Sequence, residues 1–153
     1  MILRIALLAV TVLVAVTAVN GVRHLVEWPR HLDVSAVPIL RVQRTMRRYG
    51  LLFGTLEAGA LVTVLIALFR VPPGSADMWL IAAAVICVAG MMIIRGAWLR
   101  PLNITMSHWL PEAMPSDWSG HHARWSTFHG VRVILGIIAI ALLLMGLFAR
   151  PAG

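Results

Sequence analysis

Six histidines and one glutamate in an apolar stretch are the side chains best suited to acid–base or ligand chemistry. Imidazole changes its charge near neutral pH and is also a common metal ligand. A carboxylate can act as a general acid or base where its surroundings support that role. The glutamate is Glu57, and the histidines are His24, His31, His108, His121, His122 and His129. Any chemistry of this chain is therefore expected where the fold brings some of these groups together.

Glu57 lies eight residues into the apolar stretch 49–69, which places it about 12 Å along a helix. A charge at that depth in a membrane costs at least ~2.5 kcal/mol, so it is expected to face other helices and to have a partner. Arg95 is the expected partner, because it lies near the end of the next apolar stretch and its side chain is long. Such a pair would either only fix the helix register or take part in proton transfer or substrate binding.

His24, Glu27 and His31 are spaced i, i+3, i+7, so on a continuous helix they share one face. Together with His129 they would form a ligand set for a transition metal or haem. Pro29 interrupts the segment, and the order HxxE is the reverse of the ExxH pair found in di-iron helical bundles. A metal- or haem-binding protein is therefore an alternative hypothesis, and no cofactor is assigned.

The chain that must position these groups is too apolar for a soluble domain. It has 153 residues, of which 60% are hydrophobic and 12% are charged, and its mean hydropathy is +0.88. Soluble domains carry about 25% charged residues, so the nucleic-acid binding that a net charge of +7 would suggest is excluded with the soluble class. A membrane span needs ~20 apolar residues, and the stretches of that kind are 2–22, 49–69, 78–99 and 128–149. We predict one all-α membrane domain, 1–153, with four transmembrane helices in an antiparallel bundle.

Two polar connections, 23–48 and 100–127, lie at the same end of this predicted bundle. Apolar residues alternate with Arg over 39–48, which predicts a short amphipathic helix at the membrane interface after the first span. Counted with the nearest span ends, this side has ten of the 13 basic residues, all of them Arg. Because positive residues favour the cytoplasm, we predict cytoplasmic connections and external termini in the plasma or inner membrane.

Two sequence motifs at that end of the predicted bundle are more specific evidence than the composition of the chain. The sequence PLN at 101–103 follows the third stretch, and WSTFHGVR at 125–132 opens the fourth. Together with RVQRTMRRYG at 41–50, they resemble the anthrone oxygenase-like family of small four-helix membrane proteins, many of them bacterial. In that family a W-x-x-x-N/H-x-x-R segment opens the fourth helix, and His129 stands where Asn is common. The activity that gives the family its name is oxidation of an anthrone to an anthraquinone.

The resemblance implies a site formed by Asn103, Trp125, His129 and Arg132. Asn103 offers both a donor and an acceptor, and Arg132 would hold an anionic oxygen of the substrate. Trp125 would supply a flat apolar wall, and His129 would remove an acidic proton. An anthrone carbanion can pass electrons to dioxygen itself, so a base, an oxyanion partner and a dry pocket would suffice.

We expect these groups to surround one cavity, because inward-facing polar side chains avoid lipid. The predicted catalytic residues are His24, Glu57 and His129. The predicted substrate-binding residues are Arg95, Asn103, Trp125 and Arg132, with Trp98 and Trp109 as candidates for a lid. The leading hypothesis is an anthrone oxygenase-like membrane oxidoreductase that acts without a cofactor on a hydrophobic aromatic or quinol-like substrate. The alternative is a non-catalytic membrane subunit or accessory protein, homo- or hetero-oligomeric, that docks a partner through its Trp-rich connection.

Overall fold

The computed structural model of the chain describes residues 2–27, 36–110 and 112–148, with side chains described for 3–18, 49–110 and 112–148. These residues are helical apart from short turns and one isolated bridge between Leu110 and Ala113. In chain order the elements are α1 (Ile2–Glu27), α2 (Ala36–Phe69), α3 (Ala76–Ile94), a π-helical turn (Arg95–Leu99), α4 (Arg100–Ser107) and α5 (Trp118–Phe148).

Three helical stretches are long and apolar enough to cross a membrane. They are Tyr49–Phe69 within α2, Ala76–Ser107, and Trp118–Phe148. The predicted first span, 2–22, lies in α1, whose described apolar part is the shorter stretch Leu3–Ala18. The described residues thus confirm an all-helical membrane protein, while the number of four spans stays a prediction.

α2 is one continuous helix over Ala36–Phe69, so the separate amphipathic helix predicted for 39–48 is wrong. Pro38 lies in the first turn of α2, where its missing N–H has no helical partner to lose. Gly50 costs about 1 kcal/mol in a helix interior, which is too little to end a helix that continues into an apolar span. The segment 39–48 is therefore the first part of α2.

The connection predicted at 100–127 is also shorter than expected, because helix continues to Ser107 and resumes at Trp118. Pro101 does not end the helix, since it lies in the first turn of α4 directly after the π turn. There the N–H of Arg100 donates to the carbonyl of Arg95, five residues back. This wider turn relieves the clash between a proline ring and the preceding carbonyls. The polar connection is consequently reduced to 108–117.

Packing leaves the outer faces of the helices apolar. α5 packs mainly against α1 and α3, and α2 also packs against α1 and α3. At Gly136 a Cβ would lie 3.1 Å from the Cβ of Ala18 on α1, so the glycine lets α1 and α5 approach closely. Large apolar side chains point outward, among them Phe69 at 84% and Ile86 at 73% exposure. A helix that is apolar on all faces belongs in a protein core or a membrane, so the outer surface fits lipid.

Candidate functional site

A buried ion cluster joins three helical elements at the centre of the site. One carboxylate oxygen of Glu57 on α2, Oε2, accepts from Nη1 of Arg95 at 3.4 Å. The other, Oε1, accepts from Nη2 of Arg132 on α5. Glu57 is only 1% exposed, and the side chains of Arg95 and Arg132 are 24% and 10% exposed. The predicted Glu57–Arg95 pair is confirmed, and Arg132 is a second partner that the depth argument did not identify.

Arg95 is held on α2 by a second contact. Its Nη2 donates to the backbone carbonyl of Gly50, about two helical turns before Glu57. A Cβ at Gly54 would lie 3.5 Å from Nε of Arg95, so the guanidinium lies directly against α2 at this glycine. The hydrogen bond to the Gly50 carbonyl and this close approach at Gly54 place the charged side chain against the helix.

Opposite the ion cluster, α4 and α5 form an aromatic and polar wall. The indole N–H of Trp125 donates to Oδ1 of Asn103 at 2.8 Å. The rings of Trp125 and His129 are 4.3 Å apart at an angle of 60°, and His122 stacks on Trp125 with the ring centroids 5.9 Å apart. Trp125 is buried at 3% exposure. The Asn103 bond and the two imidazoles thus fix the position of the indole.

A cavity of about 650 Å³ lies between the ion cluster and this wall. Its polar lining consists of three arginines, two threonines, one asparagine and one histidine: Arg95, Arg100, Arg132, Thr17, Thr55, Asn103 and His129. Apolar and small side chains complete it, including Phe53, Gly54, Met92 and Leu99. The volume falls in the range of small-molecule sites, ~300–1,000 Å³, and such sites combine an apolar lining with a few polar groups.

The structure brings together most of the residues predicted for the site. Asn103, Trp125, His129, Arg132 and Arg95 all line the one cavity, and Glu57 lies behind the two arginines that it binds. The side chain of His24 lies outside the described residues, so its predicted convergence stays untested.

The two tryptophans predicted as a lid do not line the cavity. Trp98 is 43% exposed and stacks on Phe128 at 5.4 Å. Trp109 is buried next to the cavity wall in an apolar cluster with Trp125, edge-on to His121 at 5.4 Å. Trp98 lies within the π turn, so its side chain points in a different direction from that expected for a regular helix.

The other histidines differ in whether their side chains are described. His121 and His122 both belong to α5, and His122 is 7% exposed. The metal alternative needs His24, Glu27 and His31, whose side chains lie outside the described residues. Within the described part of the chain, no group of three His, Cys, Asp or Glu side chains is placed to hold a metal.

Fold and site together define a helical membrane protein with a charged cavity of ligand size. The chain matches the family model of anthrone oxygenase over residues 43–142 and belongs to that family. The matched region contains every residue that lines the cavity except Thr17. Comparison with curated proteins and comparison with solved structures gave no match.

Proposed function

We propose that this protein is a membrane oxidoreductase that oxidises a hydrophobic aromatic substrate, an anthrone or a quinol-like compound, with dioxygen in the 650 Å³ cavity. The observation that carries the proposal is an excess of positive charge in the ion cluster of the cavity that His129 lines. Two guanidinium groups share the single carboxylate of Glu57, so the cluster carries a net positive charge. His129 lines the same cavity. A base next to fixed positive charge is the arrangement that favours removal of a proton to leave an anion.

The described residues supply each part of the deprotonation. The imidazole of His129 would take a proton from the activated CH₂ group between the substrate rings. The negative charge moves to the carbonyl oxygen of the substrate, where Arg95 and Arg132 would stabilise it. The indole of Trp125 lines the cavity and would supply part of an apolar wall against a flat ring system. An apolar lining excludes water and strengthens these electrostatic interactions.

The oxidation then balances with dioxygen as the only co-reactant. The carbanion gives electrons to dioxygen, and the CH₂ carbon forms a bond to one oxygen atom. That carbon loses both hydrogens, the O–O bond breaks, and the second oxygen leaves in water. One anthrone and one dioxygen thus give one anthraquinone and one water, whereas one quinol and one dioxygen would give one quinone and one hydrogen peroxide.

The finer topology belongs to the same proposal. Four spans would run in alternating directions, with the end of α1, the start of α2 and the connection 108–117 at the cytoplasmic end in a plasma or inner membrane. Contacts support opposite directions for the third and fourth spans, because Gly90 approaches Leu135 whereas Asn103 contacts Trp125. The cavity would then open near the cytoplasmic interface, and the substrate would partition from the bilayer.

The docking alternative has less support from the described residues. Trp109 and Trp125, two of the indoles of the Trp-rich connection, are 9% and 3% exposed. Side chains buried inside their own chain are not available to anchor a partner, whereas interface anchors are exposed before binding. This burial favours the ligand site over a partner-docking loop.

The test is oxygen consumption by the purified protein in lipid nanodiscs with an anthrone. Dioxygen uptake and anthraquinone absorbance should rise together at one to one, above the rate of spontaneous oxidation in empty nanodiscs. His129→Gln should lower the rate by about 10²–10⁴-fold, the usual contribution of a general base. The matched control is His108→Gln, because His108 is exposed and lies outside the cavity lining. A wild-type rate equal to that of empty nanodiscs, with anthrones and quinols alike, would overturn the proposal.

A further inference from the structure

The π turn before α4 has a direct geometric consequence for the site. In a regular α-helix each residue rotates the side-chain direction by about 100° around the helix axis. Arg95 and Asn103 are eight positions apart, so their side chains would differ in direction by roughly 80°. A π turn holds one extra residue, so the two side chains are oriented as if seven positions apart, within about 20° of each other. Both side chains line the cavity, as this alignment requires.

Pro101 is the residue whose chemistry accounts for the turn. A proline ring in a regular helix clashes with the carbonyl four residues earlier, here that of Ala97, and has no N–H to donate. The turn of five residues, closed by Arg100 N–H to Arg95 C=O, ends immediately before this ring. If Pro101 were absent, no steric clash would prevent Gly96 and Ala97 from following the regular α-helical pattern.

We infer that Pro101 is a positioning residue: by holding the π turn open, it sets the register that places Asn103 against Trp125 and beside Arg95. If the turn closed to a regular α-helix, α4 would rotate by about 100°, and Leu102 would take the place of Asn103. The indole N–H of Trp125 would then face an apolar side chain in place of the Oδ1 acceptor 2.8 Å away. The consequence for turnover rests on the proposed function, whereas the consequence for the Trp125 hydrogen bond does not.

The experiment compares Pro101→Ala with a variant that corrects the register. Deleting Ala97, an exposed residue of the π turn, from the Pro101→Ala chain removes the extra residue. A regular helix then brings Asn103 back to the cavity face. The full-length variants are placed in nanodiscs, and the indole N–H resonance of Trp125 is recorded by NMR after ¹⁵N-Trp labelling. Trp125→Phe assigns the resonance, and Asn103→Leu gives its position without the acceptor.

We expect Pro101→Ala to shift this resonance to the position seen in Asn103→Leu, and the added deletion of Ala97 to return it. Anthrone oxidation should fall by at least about tenfold in Pro101→Ala, since misplacement by about 1 Å can cost 10²-fold. The deletion should bring the rate back to within about threefold of wild type, because it restores the positions on which the rate depends. Pro73→Ala, in the exposed turn after α2, is the matched control and should change neither readout.

The remaining outcomes distinguish failure of the positioning role of Pro101 from failure of the proposed function. An unshifted Trp125 resonance in Pro101→Ala would overturn the inference, and so would a shift that the deletion does not reverse. A shift that the deletion reverses, with no oxidation by any variant or by wild type, would support the positioning role and count against the proposed function.

Discussion

Loss of the Glu57 carboxylate should be the most destabilising single change at the site. Glu57 is 1% exposed and is the acidic partner of both Arg95 and Arg132. Glu57→Ala leaves Arg132, 10% exposed, without its counter-ion, and breaking a buried pair in this way costs about 3–5 kcal/mol. Arg95 adds less to this cost, because its side chain is 24% exposed and it keeps its bond to the Gly50 carbonyl.

The ranking of related variants follows from the same contacts. Glu57→Gln keeps the volume and one oxygen acceptor, so it should lose less stability than Glu57→Ala. Arg132→Met should also lose less, because Glu57 keeps Arg95 as a partner. The double variant Glu57→Gln/Arg132→Met removes one charge of each sign. It should therefore be more stable than the sum of the single changes predicts, by about 0.5–3 kcal/mol, the range for directly interacting pairs.

The assay is reversible unfolding in mixed micelles at increasing SDS fraction, followed by far-ultraviolet circular dichroism. The four proteins of the cycle are wild type, Glu57→Gln, Arg132→Met and the double variant, and Glu57→Ala is measured beside them. Additive losses in the double variant would refute the argument, since they would show that the two groups do not interact. A Glu57→Ala protein as stable as wild type would refute it as well, because the carboxylate would then compensate no buried charge.

Two further predictions concern the cavity and the topology. Gly54→Val places methyl groups next to Arg95, where a Cβ already lies 3.5 Å from Nε. It should weaken anthrone binding in a fluorescence titration by at least about tenfold, or ~1.4 kcal/mol. The control variant Gly59→Val, with open space around its Cβ, should bind anthrone as wild type does. Equal affinities of the two variants would contradict the assigned cavity. In a Cys87→Ala background, Ser116→Cys should resist an impermeant thiol reagent in intact cells while Pro73→Cys reacts, because the Arg-rich end is expected in the cytoplasm; the reverse pattern would show the opposite orientation.

The pairing of Glu57 with Arg95 could be predicted from the sequence alone. An acid inside an apolar helix must find a partner, and depth along the helices was enough to select Arg95 for Glu57. The motif residues Asn103, Trp125, His129 and Arg132 were expected to meet for a related reason, since they follow or open spans at one membrane face. The number of partners of Glu57 was not predictable, because the order of helices around a bundle does not follow from the depth of single residues.

Helix ends were predicted less well, because the third span was ended where its apolar stretch ends, at residue 99. The helix instead continues through Pro101 to Ser107, since a π turn accommodates the proline ring. No simple period in the sequence marks such a turn. Pro38 is likewise compatible with a helix, because it lies in the first turn of α2.

The stripe of small residues on α2 shows why a spacing pattern can have two physical meanings. Gly54 and Ala58 form a small-xxx-small pair, which is typical of helices in close contact. Both line the cavity instead, and the space above Gly54 is taken by the guanidinium of Arg95. The neighbouring Glu57 decides between the meanings, because a buried acid needs a cation, and the long side chain of a cation needs room along the same helix. A small-residue stripe beside a buried carboxylate therefore favours a charged site. By contrast, a Cβ at Gly136 would lie 3.1 Å from the Cβ of Ala18, so that glycine serves the close packing of α1 and α5.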